Sequence, residues 1–291
     1  MGMHRLPPWL RTRLPSASCL GEITGKTYLR GLRTVCREAR CPNEGECSSR
    51  REATFLILGD TCTRNCGFCA VKHGLPEAPD PDESTEIARS VTELGLKHAV
   101  VTSVTRDDLP DGGAAVFAAT IREIRSVAPR TTVEVLIPDF RGNWNALDIV
   151  ADAKPDVLNH NLETVPRLYG FVRQGASYQR SLELLRRTAA LDSRIITKSG
   201  LMVGLGETRQ EIAAVVKDLV DAGCTALTVG QYLRPTPQHL PVRRFVPPEE
   251  FAEIRSSALS LGMIEVAAGP LVRSSYKAGE ILAQLRAGLR D

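Results

Sequence analysis

Six of the eight cysteines fall between positions 36 and 69, and this clustering constrains the chain more than any other feature. They form two triplets, which are Cys36, Cys41 and Cys47, then Cys62, Cys66 and Cys69. Disulfides are one explanation, but a chain of 291 residues with 43% hydrophobic residues can bury a full core without them. We therefore interpret the triplets as metal ligands.

The second triplet has the spacing Cys-x3-Cys-x2-Cys and directly follows the first predicted strand. Three thiolates at this spacing can wrap one loop around a cubane iron–sulfur cluster, and Gly67 relieves crowding between them. Three protein ligands leave one iron open, so that a substrate can bind there. A zinc site with His73 as its fourth ligand, or a cluster that only transfers electrons, is the alternative for the same residues.

Short apolar segments alternate with amphipathic helical patterns along the chain. The predicted strands are Thr54–Leu58, His98–Thr102, Thr132–Ile137, Asp156–Asn159, Ile195–Leu201 and Ala226–Gly230. The predicted helices are Ser84–Gly95, Gly113–Val127, Asn145–Ala153, Tyr178–Leu191, Glu207–Ala222 and Pro248–Leu261. This alternation predicts an α/β fold with a parallel sheet, either an open doubly wound sheet or a curved partial barrel.

Polar residues directly follow several of these strands, and in a barrel they converge on the face that holds the active site. They are Asp60, Thr102–Ser103, Asn159–Asn161, Lys198–Ser199 and Gln231. We therefore predict a partial (β/α)6 TIM-type barrel over residues 53–261. An N-terminal extension (1–52) and a C-terminal tail (262–291) are expected to close its active-site face.

The charge is nearly balanced, with 37 basic and 34 acidic side chains and a net charge of +3. This balance lacks the excess of basic residues that is typical of nucleic-acid-binding proteins. No run of 18 apolar residues exists, and the stretch Met1–Ser18 has no apolar segment like that of a signal peptide. We expect a cytoplasmic protein that binds neither nucleic acid nor membrane.

The segment Cys62–Cys69 resembles the cysteine motif of radical S-adenosylmethionine enzymes, including the aromatic Phe68 before the last cysteine. The resemblance implies that the open iron chelates the amino and carboxylate groups of S-adenosylmethionine. Reductive cleavage then gives methionine and a 5′-deoxyadenosyl radical, which abstracts hydrogen from an unactivated carbon.

The first triplet, with spacings of four and five residues, narrows the resemblance when it is taken together with Arg273-Ser274-Ser275-Tyr276 in the tail. With both features, the chain is similar to the lipoyl synthase family over essentially its whole length. Further segments that match the family pattern are Pro7–Leu10, Ile57–Cys62, Ser103–Asp108, Asn159–Thr164, Met202–Glu207 and Gly230–Leu233.

The resemblance to lipoyl synthases implies two [4Fe–4S] clusters. Cys36, Cys41 and Cys47 would hold the auxiliary cluster, with a serine of the tail as fourth ligand, and we favour Ser275 over Ser274. The auxiliary cluster would supply the sulfur that two S-adenosylmethionine cleavages insert at C6 and C8 of a protein-bound octanoyl-lysine. The implied partners are octanoylated lipoyl carrier domains or the H protein of the glycine cleavage system, an electron donor and an iron–sulfur carrier protein.

Two other sulfur-inserting radical enzymes are rival interpretations. A biotin synthase would lack the first triplet, and a methylthiotransferase would carry an added RNA-binding domain. A non-catalytic cluster or zinc scaffold is the rival from another class, and metal analysis would separate it from a protein with about eight irons per chain.

Several further residues are candidates for the site. We expect Glu163 and its neighbours Asn159 and Asn161 to contact S-adenosylmethionine, together with Phe68. Gly204 and Gly206 are expected to let the backbone approach this cofactor.

Lys198 is a further candidate for contact with S-adenosylmethionine, as a pocket cation near the methionine carboxylate or the substrate amide, and burial beside an acidic partner is the alternative. The segment Arg106–Asp108 is either a salt-bridged turn or part of the mouth of the site. We interpret His73 and His239 as structural histidines, Cys19 as a surface thiol and Cys224 as a core thiol, and assign neither thiol a role.

Overall fold

The computed structural model describes residues 6–11, 31–39, 41–50 and 52–288. Its strands are β1 (Arg33–Thr34), β2 (Thr54–Ile57), β3 (Thr61–Cys62), β4 (Lys72–His73), β5 (His98–Ser103), β6 (Thr132–Leu136), β7 (Val157–Asn159), β8 (Ile196–Val203), β9 (Ala226–Gln231) and β10 (Glu265–Gly269). Its α-helices are α1 (Val35–Glu38), α2 (Glu44–Ser49), α3 (Glu83–Glu93), α4 (Ala114–Val127), α5 (Trp144–Asp152), α6 (Tyr169–Val172), α7 (Tyr178–Leu191), α8 (Arg209–Asp221), α9 (Pro248–Ser260) and α10 (Ala278–Gly288). Short 3-10 helices span Pro8–Leu10, Phe140–Gly142 and Pro166–Leu168.

The main sheet has eight strands in the order β1-β2-β5-β6-β7-β8-β9-β10. All neighbours from β2 to β10 are parallel, whereas β1 runs antiparallel to β2. Spatial order follows chain order, so the sheet lacks the reversal that defines a doubly wound fold. The predicted partial barrel is confirmed, and a small β3-β4 ribbon lies beside it.

The six predicted strands and six predicted helices all form, and no end differs by more than two residues from the predicted one. The start of α8 shows why: Thr208 and Glu211 form a capping box, which places the first turn at Arg209 rather than at Glu207. The strand β10 was not predicted, because its sequence Glu-Val-Ala-Ala-Gly has weak strand propensity. Pairing with β9 decides its conformation.

The central strands are buried on both faces, as expected for a parallel sheet covered by helices. All four residues of β2 are buried, and Phe55 in it has no exposed surface. On the helix layer, Phe117 and Ile121 of α4 are equally buried and belong to the same apolar cluster as Val133 of β6. The core thus lies between the sheet and its outer helices and leaves the ends of the strands for polar groups.

The N-terminal segment and the tail meet near the two edges of the sheet, which are β1 and β10. Three hydrogen bonds join them: Asn43 Nδ2 to Leu271 O at 2.6 Å, Tyr276 hydroxyl to Glu46 Oε1 at 3.0 Å, and Arg50 Nη1 to Glu280 Oε1 at 3.0 Å. These contacts bring the first cysteine triplet and the serine-containing tail to the same part of the molecule.

The last helix, α10, packs at the opposite end of the barrel from the strand termini that carry the polar residues. Its Ile281, Leu282 and Leu285 form an apolar cluster with Val157 and Ala226, the first residues of β7 and β9. The connector at 270–277 joins β10 to α10 and carries the serine-containing motif. In the part of the chain that the structure describes, no helix is long and apolar enough to cross a bilayer.

The chain leaves β2 through a strained residue, Leu58, whose φ of 67° lies in the left-handed region. Its N–H donates to Glu83 Oε2 at 2.8 Å, and its carbonyl accepts from Arg106 Nη1 at 3.2 Å. Gly113, at φ 91°, allows the Leu58 side chain to pack there, since a Cβ at Gly113 would lie 2.2 Å from Leu58 Cδ1. Leu58 is therefore held from three sides at the start of the cysteine loop.

We predict that Gly113→Ala lowers the free energy of unfolding by about 2–4 kcal/mol, because it combines left-handed strain with overpacking. Gly170→Ala is the matched control, since Gly170 lies in α6 with an ordinary φ, and a Cβ added there would meet nothing within 4 Å. It should be neutral or slightly stabilising. Denaturant unfolding of the two variants measures the difference, and equal stabilities would contradict this account of Leu58.

Candidate functional site

A cavity of about 510 Å³ opens at the carboxyl ends of the barrel strands. Five of the six clustered cysteines line it, which are Cys36, Cys41, Cys62, Cys66 and Cys69. Cys47 lines a smaller adjoining cavity together with Cys36, Cys41, Arg273, Ser275 and Tyr276. Both triplets and the tail motif are therefore brought to one connected region, although they are far apart in sequence.

The loop of the second triplet is held by backbone contacts on both sides. Gly67 donates to Val172 O at 3.1 Å and accepts from Leu240 N at 3.0 Å. A Cβ at Gly67 would lie 2.8 Å from Phe171 O, so only glycine fits between these segments. His239 Nε2 donates to Cys69 O at 2.8 Å, which supports its predicted structural role.

An ion-pair network anchors the same loop from within. Arg64, between the first two cysteines of the motif, binds Asp107 through two hydrogen bonds of 2.7 and 2.8 Å and Asp139 through one of 2.7 Å. Asp139 is fully buried and also accepts from Arg180 Nε at 2.8 Å. Burial opposes ionisation, but the Arg64 guanidinium holds the pKa of Asp139 well below its usual range.

The chemistry of the donor set fits a metal cluster in each triplet. Burial, reinforced by neighbouring thiols, raises the pKa of Cys66 to about 11 and that of Cys69, Cys36 and Cys47 to about 12. Such thiols become thiolates when a metal ion supplies positive charge. At Cys62 the sulfur accepts the backbone N–H groups of Arg64 at 3.4 Å and Thr105 at 3.3 Å, which suits a ligating thiolate.

Within the described ranges, no three His, Cys, Asp or Glu side chains are arranged to hold a single metal ion. In a cubane cluster each thiolate binds a different iron, so the ligands stand further apart than around one zinc ion. His73, the fourth ligand of the zinc alternative, is exposed on β4.

Three polar residues stand together on the cavity wall: Asn161, Glu163 and Arg173. Asn161 Nδ2 donates to Glu163 Oε1 at 2.9 Å, and Arg173 Nη1 donates to Asn161 O at 2.6 Å. Burial raises the pKa of Glu163, and the Arg173 charge counteracts this. Glu163 has a φ of 66°, and Asn161 Oδ1 is buried without a partner among the described residues. Strain and an orphaned acceptor mark this wall as a ligand site.

The structure does not bring Lys198 or Asn159 to the cavity, although both were expected to contact S-adenosylmethionine. Lys198 Nζ forms a fully buried ion pair with Glu134 at 2.9 and 3.1 Å. Asn159 Nδ2 donates to the same carboxylate at 3.1 Å. Burial would raise the pKa of Glu134, but Lys198 and His98 lower it to about 2. Of the two alternatives for Lys198, the buried acidic partner is therefore the one observed.

Gly204 and Gly206 also lie away from the cavity lining. At Gly204 a Cβ would lie 2.2 Å from Gln231 Nε2 and 2.6 Å from Arg244 O, so this glycine lets another chain segment approach rather than a cofactor. Gly206, at φ 111°, accepts from Arg167 Nη2 at 2.8 Å.

Some of the remaining predicted residues support the fold, and others lie beside the cavity. Arg106 pairs with Asp108 at 2.8 Å in a salt-bridged turn, while Asp107 reaches the cysteine loop through Arg64. Cys224 is buried, as predicted for a core thiol, and Cys19 lies outside the described residues. Phe68 lines the cavity and packs in an apolar cluster with Tyr232.

Sequence reasoning missed Arg64, Asp139 and Arg173. The sequence did contain a signal for Arg64. A charged residue inside a cysteine motif is either exposed to solvent or paired with an opposite charge, and pairing would require an acidic residue near the motif. Arg173 and Asp139 gave no local signal, since each acts on the site from a connection between elements that only the fold brings into place.

Comparison with known proteins places this site in a family. The model of the radical SAM superfamily matches residues 56–219. The chain is 54% identical over 289 residues to a lipoyl synthase of Rubrobacter xylanophilus, covering 99% of this chain and 89% of that protein. It is 56% identical over 282 residues to a lipoyl synthase of Symbiobacterium thermophilum, covering 97% and 88%.

Solved structures of low sequence identity share the fold. SuiB of Streptococcus suis bound to its precursor peptide SuiA matches with a TM-score of 0.58 at 11% identity, covering 74% of this chain and 48% of that chain. HydG, a maturase of the [FeFe]-hydrogenase, matches with a TM-score of 0.55 at 15% identity, covering 80% and 61%.

We predict that Asp139→Asn lowers the free energy of unfolding by about 3–5 kcal/mol, because it leaves Arg64 without one of its buried counter-charges. Glu183→Gln is the control, since Glu183 pairs with Arg186 and Arg187 on an exposed helix face, where water screens the charges, and its loss should change the free energy of unfolding very little. Anaerobic denaturant unfolding measures both. A loss at Asp139 no larger than that at Glu183 would show that the network does not stabilise the loop.

Proposed function

The chain belongs to the lipoyl synthase family of radical S-adenosylmethionine enzymes, and we propose which of its residues perform sulfur insertion. The family reaction inserts two sulfur atoms, at C6 and C8, into an octanoyl group carried on a lysine of an acceptor protein. It uses S-adenosylmethionine and two [4Fe–4S] clusters. The observation that carries the assignment is that the second triplet and two cysteines of the first, Cys36 and Cys41, line the same cavity, and that Cys47 lines the small cavity adjoining it. The proposed radical site and the proposed sulfur source are therefore neighbours.

In this proposal Cys62, Cys66 and Cys69 hold the cluster that binds S-adenosylmethionine. When bound, this cluster supplies the electron for reductive cleavage of S-adenosylmethionine. The chain itself contributes the cation and the anion that a zwitterionic amino-acid group requires. Arg173 is placed to bind the carboxylate, and Glu163, oriented by Asn161, to accept hydrogen bonds from the amino group. Phe68 closes the apolar side of the cavity wall.

The first triplet and Ser275 hold the auxiliary cluster, whose sulfur is a substrate of the reaction. Support for Ser275 over Ser274 comes from the lining of the cavities. Ser275 lies in the small cavity with all three cysteines, whereas Ser274 lines the large cavity only. An alkoxide on iron is a harder ligand than a thiolate, so it suits a position that must open when sulfur leaves.

The remaining wall of the cavity suits an octanoyl chain. Apolar side chains from the N-terminal segment, the strand ends and the tail face it, among them Val35, Leu56, Ile137, Met202 and Val272. Burying methylene groups against such a wall contributes about 0.8 kcal/mol each. We propose octanoylated lipoyl domains or the H protein as the carriers, with an electron donor and an iron–sulfur carrier protein as further partners, in the cytoplasm.

Anaerobic reconstitution tests the proposed function directly. The reconstituted protein, with S-adenosylmethionine, a reductant and an octanoyl-lysine peptide, should add two sulfur atoms to the peptide, as measured by mass spectrometry. Iron content should be about eight per chain. A product with one sulfur, or a protein that contains zinc in place of iron, would contradict the assignment.

We predict that Cys66→Ala and Cys41→Ala separate the two clusters. Each variant should keep about half of the iron, because one triplet remains intact. Cys66→Ala should release no 5′-deoxyadenosine, whereas Cys41→Ala should release it and form no lipoyl product. Each variant is the control for the other, measured by iron analysis and chromatography. Lipoyl product from Cys41→Ala would show that the first triplet is structural.

We predict that Ser275→Ala impairs lipoyl formation but leaves cleavage of S-adenosylmethionine intact, because only the auxiliary ligand set is altered. Ser275→Cys should slow sulfur transfer, since a thiolate holds iron more firmly than an alkoxide does. Ser274→Ala is the matched control and should insert sulfur at the normal rate. If Ser274→Ala is impaired and both Ser275 variants are normal, the neighbouring serine is the ligand.

A further inference from the structure

Arg273 occupies a position between the two proposed cluster sites. It lines the small cavity with Cys36, Cys41 and Cys47, and it also lines the large cavity. The backbone beside it is fixed, because Val272 N donates to Gly269 O at 3.1 Å and a Cβ at Gly230 would lie 2.0 Å from Val272 O. The tail therefore rests directly on Gly230 of β9, and Arg273 Nη1 would lie 3.3 Å from the same Cβ.

Few protein groups compensate the positive charge of the Arg273 guanidinium. Among the described residues, it makes one hydrogen bond, from Nη1 to the carbonyl of its neighbour Val272 at 2.7 Å, and forms no ion pair with a carboxylate. Arg273 is only partly exposed. A charge that has lost part of its water and has no counter-ion is costly, so this position calls for an anion.

The first triplet and Ser275 would provide this negative charge when they hold the auxiliary cluster, since they line the small cavity together with Arg273. Three thiolates and an alkoxide around one cluster concentrate negative charge where Arg273 lines the wall. Glu163, the other anion near Arg273, already has Arg173 and Asn161 beside it. We propose, on the basis of the proposed function, that Arg273 is a positioning residue that serves as counter-ion of the auxiliary cluster. Its charge favours the more reduced, more negative state and holds the neighbouring Ser275 at the ligand position.

A purely structural role is the competing explanation, in which Arg273 only closes the turn through its bond to Val272 O. The two roles differ in what they affect. A structural role in the turn depends on the shape and hydrogen bonding of the side chain, so its loss would not change the reduction potential of the cluster. A counter-ion depends on charge, and reduction potentials follow net charge near the cluster.

The test measures the midpoint potential of the auxiliary cluster alone. The background is the full chain with Cys62→Ala, Cys66→Ala and Cys69→Ala, reconstituted anaerobically and titrated with a spectroscopic readout. Arg273→Met should shift the potential to a more negative value, because a neighbouring positive charge is lost. Arg273→Lys should restore most of the shift. Arg50→Met is the control, since Arg50 lies near the tail but pairs with Glu46 and Glu280, and it should leave the potential unchanged.

The outcomes separate the inference from the proposed function. Loss of the auxiliary cluster in Arg273→Met that Arg273→Lys restores also supports the counter-ion role. An iron-loaded Arg273→Met with an unchanged potential, or a loss of cluster that lysine does not restore, overturns it while the cluster assignment stands. A background without iron would overturn the assignment of the first triplet, and the inference with it.

Discussion

The ion pairs between Arg64 and its two carboxylates hold the cysteine loop against the barrel. Asp107 follows β5 and Asp139 follows β6, so a single guanidinium joins the loop after β2 to the ends of the next two strands. Because Asp139 is buried and also binds Arg180, the loop is tied to the helix layer as well. The three cysteines of the second triplet all lie on this one short loop, so its ion pairs with the barrel fix the position of all three.

The second organising feature is that the barrel remains open. The sheet ends at β1 on one side and β10 on the other, and the first triplet, its short helices and the connector at 270–277 lie near these edges. A closed barrel would leave no entry for a second cluster beside the first. In the proposed function, the open sheet thus leaves room for the auxiliary cluster. Hydrogen bonds between Asn43, Tyr276 and their partners hold the two extensions together.

Much of this could be predicted from the sequence, because the strongest signals are local. The cysteine spacings, the strand–helix alternation and the polar residues at strand ends each depend on a few neighbouring residues. Strand β10 could not be predicted, since alanine and glycine adopt strand conformation only when a neighbour pairs with them. Lys198 shows the same limit within the site. Its position after apolar residues indicated a buried cation, but the pairing with Glu134 depends on the register of β6, β7 and β8.

The connector that carries Ser275 is fixed at both of its ends. On one side β10 pairs with β9, and on the other α10 is packed against the first residues of β7 and β9. Ser275 therefore lies in a short segment between a paired strand and a packed helix. In the proposed function the auxiliary cluster gives up sulfur, so Ser275 would have to release its iron while the chain on both sides of it stays in place. Loss of this one bond would alter neither the pairing of β10 with β9 nor the packing of α10, so the consumption of the sulfur source would leave the barrel intact.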